Sequence, residues 1–309
     1  MNMAKKNVLI LGANGLVGSS CVRVLQVDEK YNTISAKRED ADLFNFKATK
    51  NLITETKPNV LINAAAKVGG ILANNSNRVD FILENLKINN NVLESCIENS
   101  SIKIINLGSS CIYPLNAKNP IKESEIMNGK LEPTNSPYAM AKLSAIELGK
   151  AISKEYGHSI INLMPTNLYG PNDNFSAEGS HVIPGLIRRM HDAKIKNDKS
   201  FNLWGSGKPL REFLYVDDLA KFIKLIIDNE VDDELVNVGS GNEIEIIELA
   251  NSIKKIINYK GDIKLDLSMP DGNPRKLLDS TIAKNHGWKP EVSLQEGLSK
   301  TYDWFLNNY

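Results

Sequence analysis

A short apolar run followed by three evenly spaced glycines decides much of the architecture of this chain. Residues 7–11 read as a strand buried on both faces of a parallel sheet, and an apolar-periodic helix continues from the glycines to about Leu25. In this strand–turn–helix context, glycines let the backbone approach a pyrophosphate at the N-terminus of the helix. The spacing is a variant of the dinucleotide fingerprint, with an ordinary tight turn as the alternative. The predicted cofactor-binding turn consists of Gly12, Ala13, Asn14, Gly15, Leu16, Val17 and Gly18.

Further short apolar runs alternate with helical segments along the chain. They lie at residues 33–35, 58–63, 102–107, 158–164 and 235–239. This alternation predicts an α/β fold, a doubly wound parallel sheet of the Rossmann type with a smaller C-terminal α/β substrate lobe.

We place the first crossing into a second lobe at the Pro/Gly-punctuated segment 165–171, and we expect the chain to enter and leave this lobe more than once. We assign residues 1–170 and 213–242 to the nucleotide-binding domain, and residues 171–212 and 243–309 to the substrate-binding lobe. Three local expectations accompany this division: one long helix over residues 74–98, a loop over residues 165–171, and mostly helix from Glu243 onward.

Tyr138 and Lys142 lie four residues apart in a predicted helix that runs to about Tyr156. This spacing places both side chains on one face of the helix. An ammonium beside a phenol favours the phenolate, so the pair predicts a general acid/base device for a carbonyl or an alcohol. Any Tyr and Lys on a helix surface can share this spacing, which is the alternative.

Ser109 and Cys111 directly follow the apolar run that ends at Leu107. Because ligands of doubly wound sheets bind at the carboxyl ends of the strands, Ser109 is the natural donor to a substrate oxygen beside Tyr138. Cys111 can face the same crevice, or it can be a small buried hydrophobe.

The end of the second strand indicates which nicotinamide cofactor is preferred. NAD enzymes usually carry an acidic residue about 20 residues after the glycines, to bind the ribose hydroxyls. This chain has Lys37 and Arg38 there, which favour a 2′-phosphate and therefore NADP, with two solvated surface cations as the alternative. Asp42 and Leu43 follow and can line the adenine.

Composition argues against several classes of partner. Lys plus Arg and Asp plus Glu each number 37, so the charge is balanced and no nucleic acid partner is expected. No apolar run reaches the length of about 18 residues that a membrane helix needs. Residues 1–6 leave no room for a signal peptide, and the three cysteines form no CxxC pair. We therefore expect a cytoplasmic protein without disulfides or zinc.

Five segments, in order, resemble the GDP-L-fucose synthases, which belong to the extended short-chain dehydrogenase/reductase superfamily. They are residues 108–114, 165–171, 181–184, 209–214 and 271–279. The resemblance covers the whole chain. It implies NADPH-dependent conversion of GDP-4-keto-6-deoxy-D-mannose to GDP-L-fucose, through C3 and C5 epimerisation and then C4 reduction.

The resemblance also assigns residues to roles. Cys111 and His181 match the base and the acid of epimerisation, whereas Ser109, Tyr138 and Lys142 match the reductase site. Further matches to cofactor-binding positions are Asn63, Ala64, Ala65, Leu107, Gly108, Lys142, Pro165, Thr166, Asn167, Leu168 and His181. Matches to positions that contact the GDP-sugar are Arg189, Trp204, Arg211 and Asp271. From the residues alone, the alternative is that Arg189 is a solvated helix residue and Trp204 a core residue.

Three other functions remain open. The first is a C4 reductase of another GDP-4-keto sugar, such as a GDP-heptose or 6-deoxy-heptose, without epimerase activity. The second is a UDP-sugar epimerase or dehydratase, although dehydratases usually have acidic residues where Ser110 and Cys111 stand. The third is a non-catalytic NADP-binding regulator on the same fold.

Asn14 replaces the basic residue that the family often has in the glycine turn, so NADP preference depends more on Lys37 and Arg38. The resemblance further implies a homodimer formed through long helices, and the reaction requires no metal.

Overall fold

The computed structural model describes residues 5–177, 179–229, 231–269 and 271–309. Its strands are β1 (Lys6–Leu11), β2 (Tyr31–Ala36), β3 (Val60–Asn63), β4 (Lys103–Leu107), β5 (Ile160–Pro165), β6 (Asn167–Tyr169), β7 (Ser200–Trp204), β8 (Leu210–Tyr215), β9 (Leu235–Val238), β10 (Glu243–Glu245), β11 (Asp262–Asp266) and β12 (Arg275–Lys276). Its α-helices are α1 (Leu16–Leu25), α2 (Phe46–Thr56), α3 (Ile71–Ser76), α4 (Arg78–Cys96), α5 (Ser136–Tyr156), α6 (Val182–Ile195), α7 (Val216–Asp228), α8 (Ile246–Ile257), α9 (Thr281–Asn285) and α10 (Leu294–Asn308).

A parallel sheet in the order β2-β1-β3-β4-β5-β9 forms the centre of the described structure. The strand order reverses direction at β1, because β2 lies on one side of it and β3 on the other. Loops leaving the carboxyl ends of β1 and β3 therefore open a crevice where doubly wound sheets bind ligands. The predicted α/β doubly wound fold is confirmed.

Helices cover both faces of this sheet. On one face α1 and α7 bury Cys21, Leu25 and Phe222 against it, and on the other α4 and α5 bury Val92 and Ile152. Burial on both faces explains why these strands read as continuous apolar runs rather than alternating ones.

A second hydrophobic cluster lies in the later part of the chain. It joins α6, α8 and α10 through side chains such as Leu186, Leu249 and Phe305. Ala283 and Trp288, although late in the chain, pack instead with the core of the central sheet. The exact division into two domains stays a prediction.

Three local expectations were wrong. Residues 165–171 contain β6, which pairs with β8, and the chain after Glu243 contains β10, β11 and β12. These strands are short, and their partners lie far along the chain. The expected helix over residues 74–98 is two helices, α3 and α4, because Asn77 between them leaves the helical conformation, with φ −119° and ψ 42°. No helix in the described ranges has the length and apolarity needed to cross a membrane.

Candidate active site

The glycine turn between β1 and α1 is shaped by close backbone packing. Gly12 has φ +75°, and a Cβ atom there would lie 2.9 Å from Ala65 Cα. A Cβ atom on Gly18 would lie 2.1 Å from the carbonyl oxygen of Gly12. Gly15 is the N-cap of α1 and, like Asn14, is exposed. The turn therefore presents backbone and the positive end of a helix to the crevice, which fits a dinucleotide pyrophosphate.

A cavity of about 380 Å³ lies among the segments that follow β2 and β3 and the helix α4, and it is lined by Arg38, Phe44, Ala66, Lys67, Val68, Glu84 and Ile88. Lys37 is also at this end, where its ammonium lies 3.5 Å from Glu39. Asp42 accepts a hydrogen bond from the Phe44 main chain at 3.0 Å, so its carboxylate shapes the turn that leads into the cavity. The Leu43 carbonyl accepts from Asn91 at 2.8 Å. The cavity is partly apolar, its Lys67 pairs with Glu84 at 3.0 Å, and Arg38 at its edge fits the adenosine end of NADP.

Asn63 lies at the carboxyl end of β3, but its side chain is buried inside the protein. It donates to Asn106 on β4 at 3.0 Å and to Asn89 on α4 at 3.2 Å. Asn106 in turn donates to Asn162 on β5 at 3.0 Å. This row of amides crosses three neighbouring strands, so the side chain of Asn63 helps to join them. The sequence analysis did not single out this row, because its four asparagines lie far apart along the chain.

Tyr138, Ser109 and Lys142 meet at the carboxyl end of β4. The helix α5 that carries the pair begins at Ser136 with Pro137 in its first turn, a position that suits proline. Ser109 hydrogen-bonds the Tyr138 oxygen, and the Lys142 ammonium lies 5.9 Å from the centre of the tyrosine ring. Lys142 is only 2% exposed, and its ammonium donates to the Leu107 carbonyl at 2.6 Å.

Burial dominates the protonation of this pair. It raises the pKa of Tyr138, with a further increase from Cys111 and an opposing effect of the Ser109 hydrogen bond. It lowers the pKa of Lys142 from 10.5 to about 8. The expectation that Lys142 depresses the tyrosine pKa is not met, because loss of hydration is the largest effect on Tyr138 and only the Ser109 hydrogen bond opposes it. Tyr138 is therefore a phenol at neutral pH, which makes it a proton donor.

Cys111 lies in a short turn after β4, where its main-chain N–H donates to the Ser109 hydroxyl at 3.2 Å. Its sulfur lies 3.7 Å from the ammonium of Lys276 on β12. Burial lowers the pKa of the Arg211 guanidinium on β8, and Asp271 and Cys111 are close enough to oppose this decrease. The structure thus brings a thiol, a phenol, a hydroxyl and two cations together.

His181 is the N-cap of α6 and is half-buried. Burial lowers the pKa of its imidazole, and a hydrogen bond to the main-chain carbonyl of Gly69 partly opposes this decrease. The N–H of Gly70 donates to the carbonyl of Gly179 at 3.2 Å, so the connection after β3 contacts the segment that carries His181.

Arg189 on α6 and Trp204 on β7 form a cation–π pair. The guanidinium carbon of Arg189 lies 4.4 Å from the centre of the indole, and burial lowers the guanidinium pKa. Trp204 is 40% exposed, so it is not a core residue. Asp271 accepts a hydrogen bond from the Ser206 main chain at 2.6 Å, and it therefore holds the turn after Trp204.

Thr166 and Asn167 both donate to the main-chain carbonyl of Glu212, at 3.1 Å and 2.8 Å. They anchor the segment from Pro165 to Leu168 against β8. Gly108 packs under Met164, where a Cβ atom would lie 2.0 Å from the methionine methyl.

Comparison with known proteins identifies the family. A model described as the NAD dependent epimerase/dehydratase family matches residues 8–239. The chain belongs to this family.

GDP-L-fucose synthase 1 of Arabidopsis thaliana is 46% identical over 308 residues, which are 100% of this chain and 95% of that protein. GDP-L-fucose synthase of Escherichia coli strain K12 is 44% identical over 315 residues, which are 99% of this chain and 98% of that protein. A solved structure of a GDP-mannoheptose C4 reductase from Campylobacter jejuni with NADP bound has a TM-score of 0.87 and 30% identity, and the match covers 99% of this chain and 100% of that one. The predicted resemblance is confirmed.

In this member of the epimerase/dehydratase family, the structure places two further residues near the site that the sequence analysis did not single out. Lys276 lies in one of the matched segments, but only the pairing of β12 with β8, which aligns it with Arg211, indicates that it reaches Cys111. Glu212 is fully buried, and its carboxylate accepts from the main chains of Gly241 and Leu278 at 2.6 Å and 3.1 Å. Burial raises the carboxyl pKa of Glu212.

Proposed function

We propose that this protein is an NADPH-dependent epimerase-reductase that converts GDP-4-keto-6-deoxy-D-mannose to GDP-L-fucose. The observation that carries the proposal is the convergence of Ser109, Cys111 and Tyr138 on one point, with Arg211 and Lys276 beside it. The curated relatives at 44–46% identity over almost their whole length support the substrate.

Epimerisation follows from the acidity of hydrogens beside a ketone. Loss of a proton from C3 or C5 leaves a carbanion that delocalises onto the C4 oxygen as an enolate. Inversion requires a base on one face of the carbon and an acid on the other. Cys111, as a thiolate, takes the proton and becomes a thiol, while His181, as an imidazolium, gives a proton to the opposite face and becomes neutral. Burial lowers the pKa of His181, so its protonated form releases the proton readily.

Reduction uses the residues that hold the C4 oxygen. Bound NADPH supplies the hydride that C4 receives. Tyr138 gives its phenolic proton to the C4 oxygen, and Ser109 donates a hydrogen bond to the same oxygen while negative charge develops there. Lys142 binds the nicotinamide ribose and places a positive charge near the phenolate that remains.

The two nucleotides are held at opposite ends of the crevice. The glycine turn would hold the pyrophosphate of NADP, the cavity lined by Arg38 would hold its adenosine end, and Lys37 and Arg38 would pair with its 2′-phosphate. The guanine nucleotide of the sugar lies against Trp204 and Arg189, and Arg211 pairs with the diphosphate. Arg suits this role because its planar fork binds two oxygens at once.

The direct test is incubation with GDP-4-keto-6-deoxy-D-mannose and NADPH, with the product sugar identified by NMR. We expect GDP-L-fucose. In deuterated water, Cys111→Ser should lose deuterium incorporation at C3 and C5 while it still binds NADPH. Unchanged incorporation in this variant would show that Cys111 is not the base.

The second candidate is a plain C4 reductase of another GDP-4-keto sugar. Its support is the close match to the solved GDP-mannoheptose C4 reductase, with a TM-score of 0.87. A product reduced at C4 with unaltered C3 and C5, or turnover only with a GDP-4-keto-heptose, would favour this candidate.

The same proposal includes a cytoplasmic homodimer. Helices α4 and α5 pack side by side and expose the apolar side chains Val79, Leu83 and Met140, which are 65%, 47% and 46% exposed. Two copies that pair through these helices would bury this surface. Light scattering should give about twice the chain mass of 34.2 kDa, and Leu83→Glu should give the single-chain mass.

A further inference from the structure

We infer that Asn74 is a positioning residue that orients the imidazole of His181 through the carbonyl of Gly69. The inference rests on the proposed function, in which His181 supplies a proton during epimerisation. Asn74 touches neither substrate nor cofactor in this account, and it acts only through the loop between β3 and α3.

Asn74 is fixed within this loop. It is 6% exposed and lies on α3, one turn after the two glycines that precede the helix. Its amide nitrogen donates to the Gly69 carbonyl at 2.7 Å and to the Gly70 carbonyl at 3.1 Å. Both partners are acceptors, so the amide must present its NH₂ group to them, and both carbonyls are thereby held in one orientation.

The Gly69 carbonyl also lies close enough to the His181 ring to favour its protonated form. This contact depends on the close approach of two chain segments. The Gly70 N–H donates to Gly179 at 3.2 Å, and a Cβ atom on Gly70 would lie 2.5 Å from the carbonyl oxygen of Ser180. Asn74, the glycine pair and His181 therefore form a continuous chain of contacts between the loop after β3 and the start of α6.

The orientation of that carbonyl matters for the chemistry of an imidazole. The hydrogen bond that one ring nitrogen makes determines which nitrogen carries the proton and which way the other faces. The carbonyl also favours the protonated ring, against the effect of burial. If the amide of Asn74 is removed, the Gly69 carbonyl can turn, and the ring loses both its preferred tautomer and its direction.

The test compares Asn74→Ala with wild type by deuterium incorporation at C3 and C5 in deuterated water. Small misplacements of a reacting group are costly, so we expect incorporation at the carbon that His181 protonates to slow by about 10- to 100-fold. NADPH affinity should be unchanged. In parallel, the ring ¹⁵N shifts of His181 should reveal a different tautomer ratio in the variant, which a purely structural role would not produce. The chain has four histidines, and His181→Gln identifies the relevant signal.

The matched control is Asn77→Ala. Asn77 ends the same helix, donates to the Ala73 carbonyl at 3.1 Å and is exposed. It should leave incorporation and the ¹⁵N shifts of His181 unchanged. Asn74→Asp serves as the second variant in case the alanine protein is unstable, because the carboxylate has the shape of the amide but cannot donate to Gly69. It should reproduce the loss at a pH where it is ionised.

The outcomes separate the two proposals. If His181→Gln keeps full deuterium incorporation at both carbons, the proposed role of His181 fails whatever Asn74 does. If His181→Gln loses incorporation but Asn74→Ala and Asn74→Asp retain wild-type rates and ¹⁵N shifts, the positioning role of Asn74 is overturned.

Discussion

Replacement of Lys142 by methionine tests the cost of placing an ammonium inside the protein. Lys142 is 2% exposed, and burial lowers its pKa from 10.5 to about 8. Since each pKa unit corresponds to about 1.4 kcal/mol, the buried charge destabilises the folded protein by about 3 kcal/mol. The penalty is fully present below about pH 8, where both states are charged. It declines as the pH rises through the folded-state pKa and is gone above about pH 10.5, where both states are neutral.

The expected signal is the pH dependence of a stability difference. Methionine has a similar shape and no charge, so the free energy of unfolding of Lys142→Met minus that of wild type should fall by about 3 kcal/mol between about pH 7 and about pH 10.5. The lost bond from the ammonium to Leu107 adds an offset that we expect to vary little with pH. Urea unfolding of both proteins, without nucleotide, measures the difference at each pH.

The matched control is Lys150→Met on the same helix. The ammonium of Lys150 is partly exposed and lies 2.9 Å from Glu147, so its replacement should give a small difference that changes little over this range. A stability difference for Lys142→Met that stays constant with pH would refute the reasoning, since it would mean that burial does not penalise the charge.

Three further predictions follow from other contacts. Tyr138→Phe should slow NADPH oxidation by about 100-fold or more, because it removes the general acid, while fluorescence titration should show unchanged NADPH affinity; retained reduction would contradict this. Arg189→Ala should raise KM for the GDP-sugar by about 10-fold or more, because it removes a cation stacked on Trp204. Arg188→Ala, whose guanidinium pairs with an aspartate one turn away, should leave KM unchanged, and equal effects of the two would count against the assignment. Asp173→Asn should raise Tm above about pH 7 but not below about pH 4. Burial raises this carboxyl pKa from 3.8 to about 7, so the wild-type protein loses stability over that pH range, where the carboxyl ionises in the unfolded state but stays protonated in the folded state. An equal gain at both pH values would exclude that cause.

The central sheet could be predicted because its evidence is local. Strands such as β1, β4 and β5 are buried on both faces, so each is a short apolar run bounded by turn residues. The turn after β1 was readable for the same reason: Gly12 needs a positive φ and Gly18 needs room for a neighbouring carbonyl, and glycine satisfies both. An element whose burial and backbone conformation are satisfied by its own residues can therefore be recognised from the sequence.

The protonation state of Tyr138 could not be predicted in this way. The spacing of Tyr138 and Lys142 was visible, and the helix that carries them begins and ends as expected. The sign of the tyrosine pKa shift depends on how much solvent each group loses, and that quantity depends on packing by the rest of the chain. The spacing alone correctly placed Lys142 beside Tyr138, but it gave the wrong direction for the shift of the tyrosine pKa.

Lys276 and Glu212, which sequence reasoning did not single out, share one structural cause, the strand β8. Lys276 reaches Cys111 because β12 pairs with β8, and β12 is only two residues long. Glu212 lies on β8 and accepts from Leu278, while its own carbonyl accepts from Thr166. The segment that would contact the nicotinamide and the segment that carries Lys276 are therefore joined at one buried carboxylate and its backbone. This junction assembles short segments from distant parts of the chain, and none of these segments needs an apolar run of its own. The substrate side of the site therefore depends on tertiary pairing rather than on a local sequence pattern.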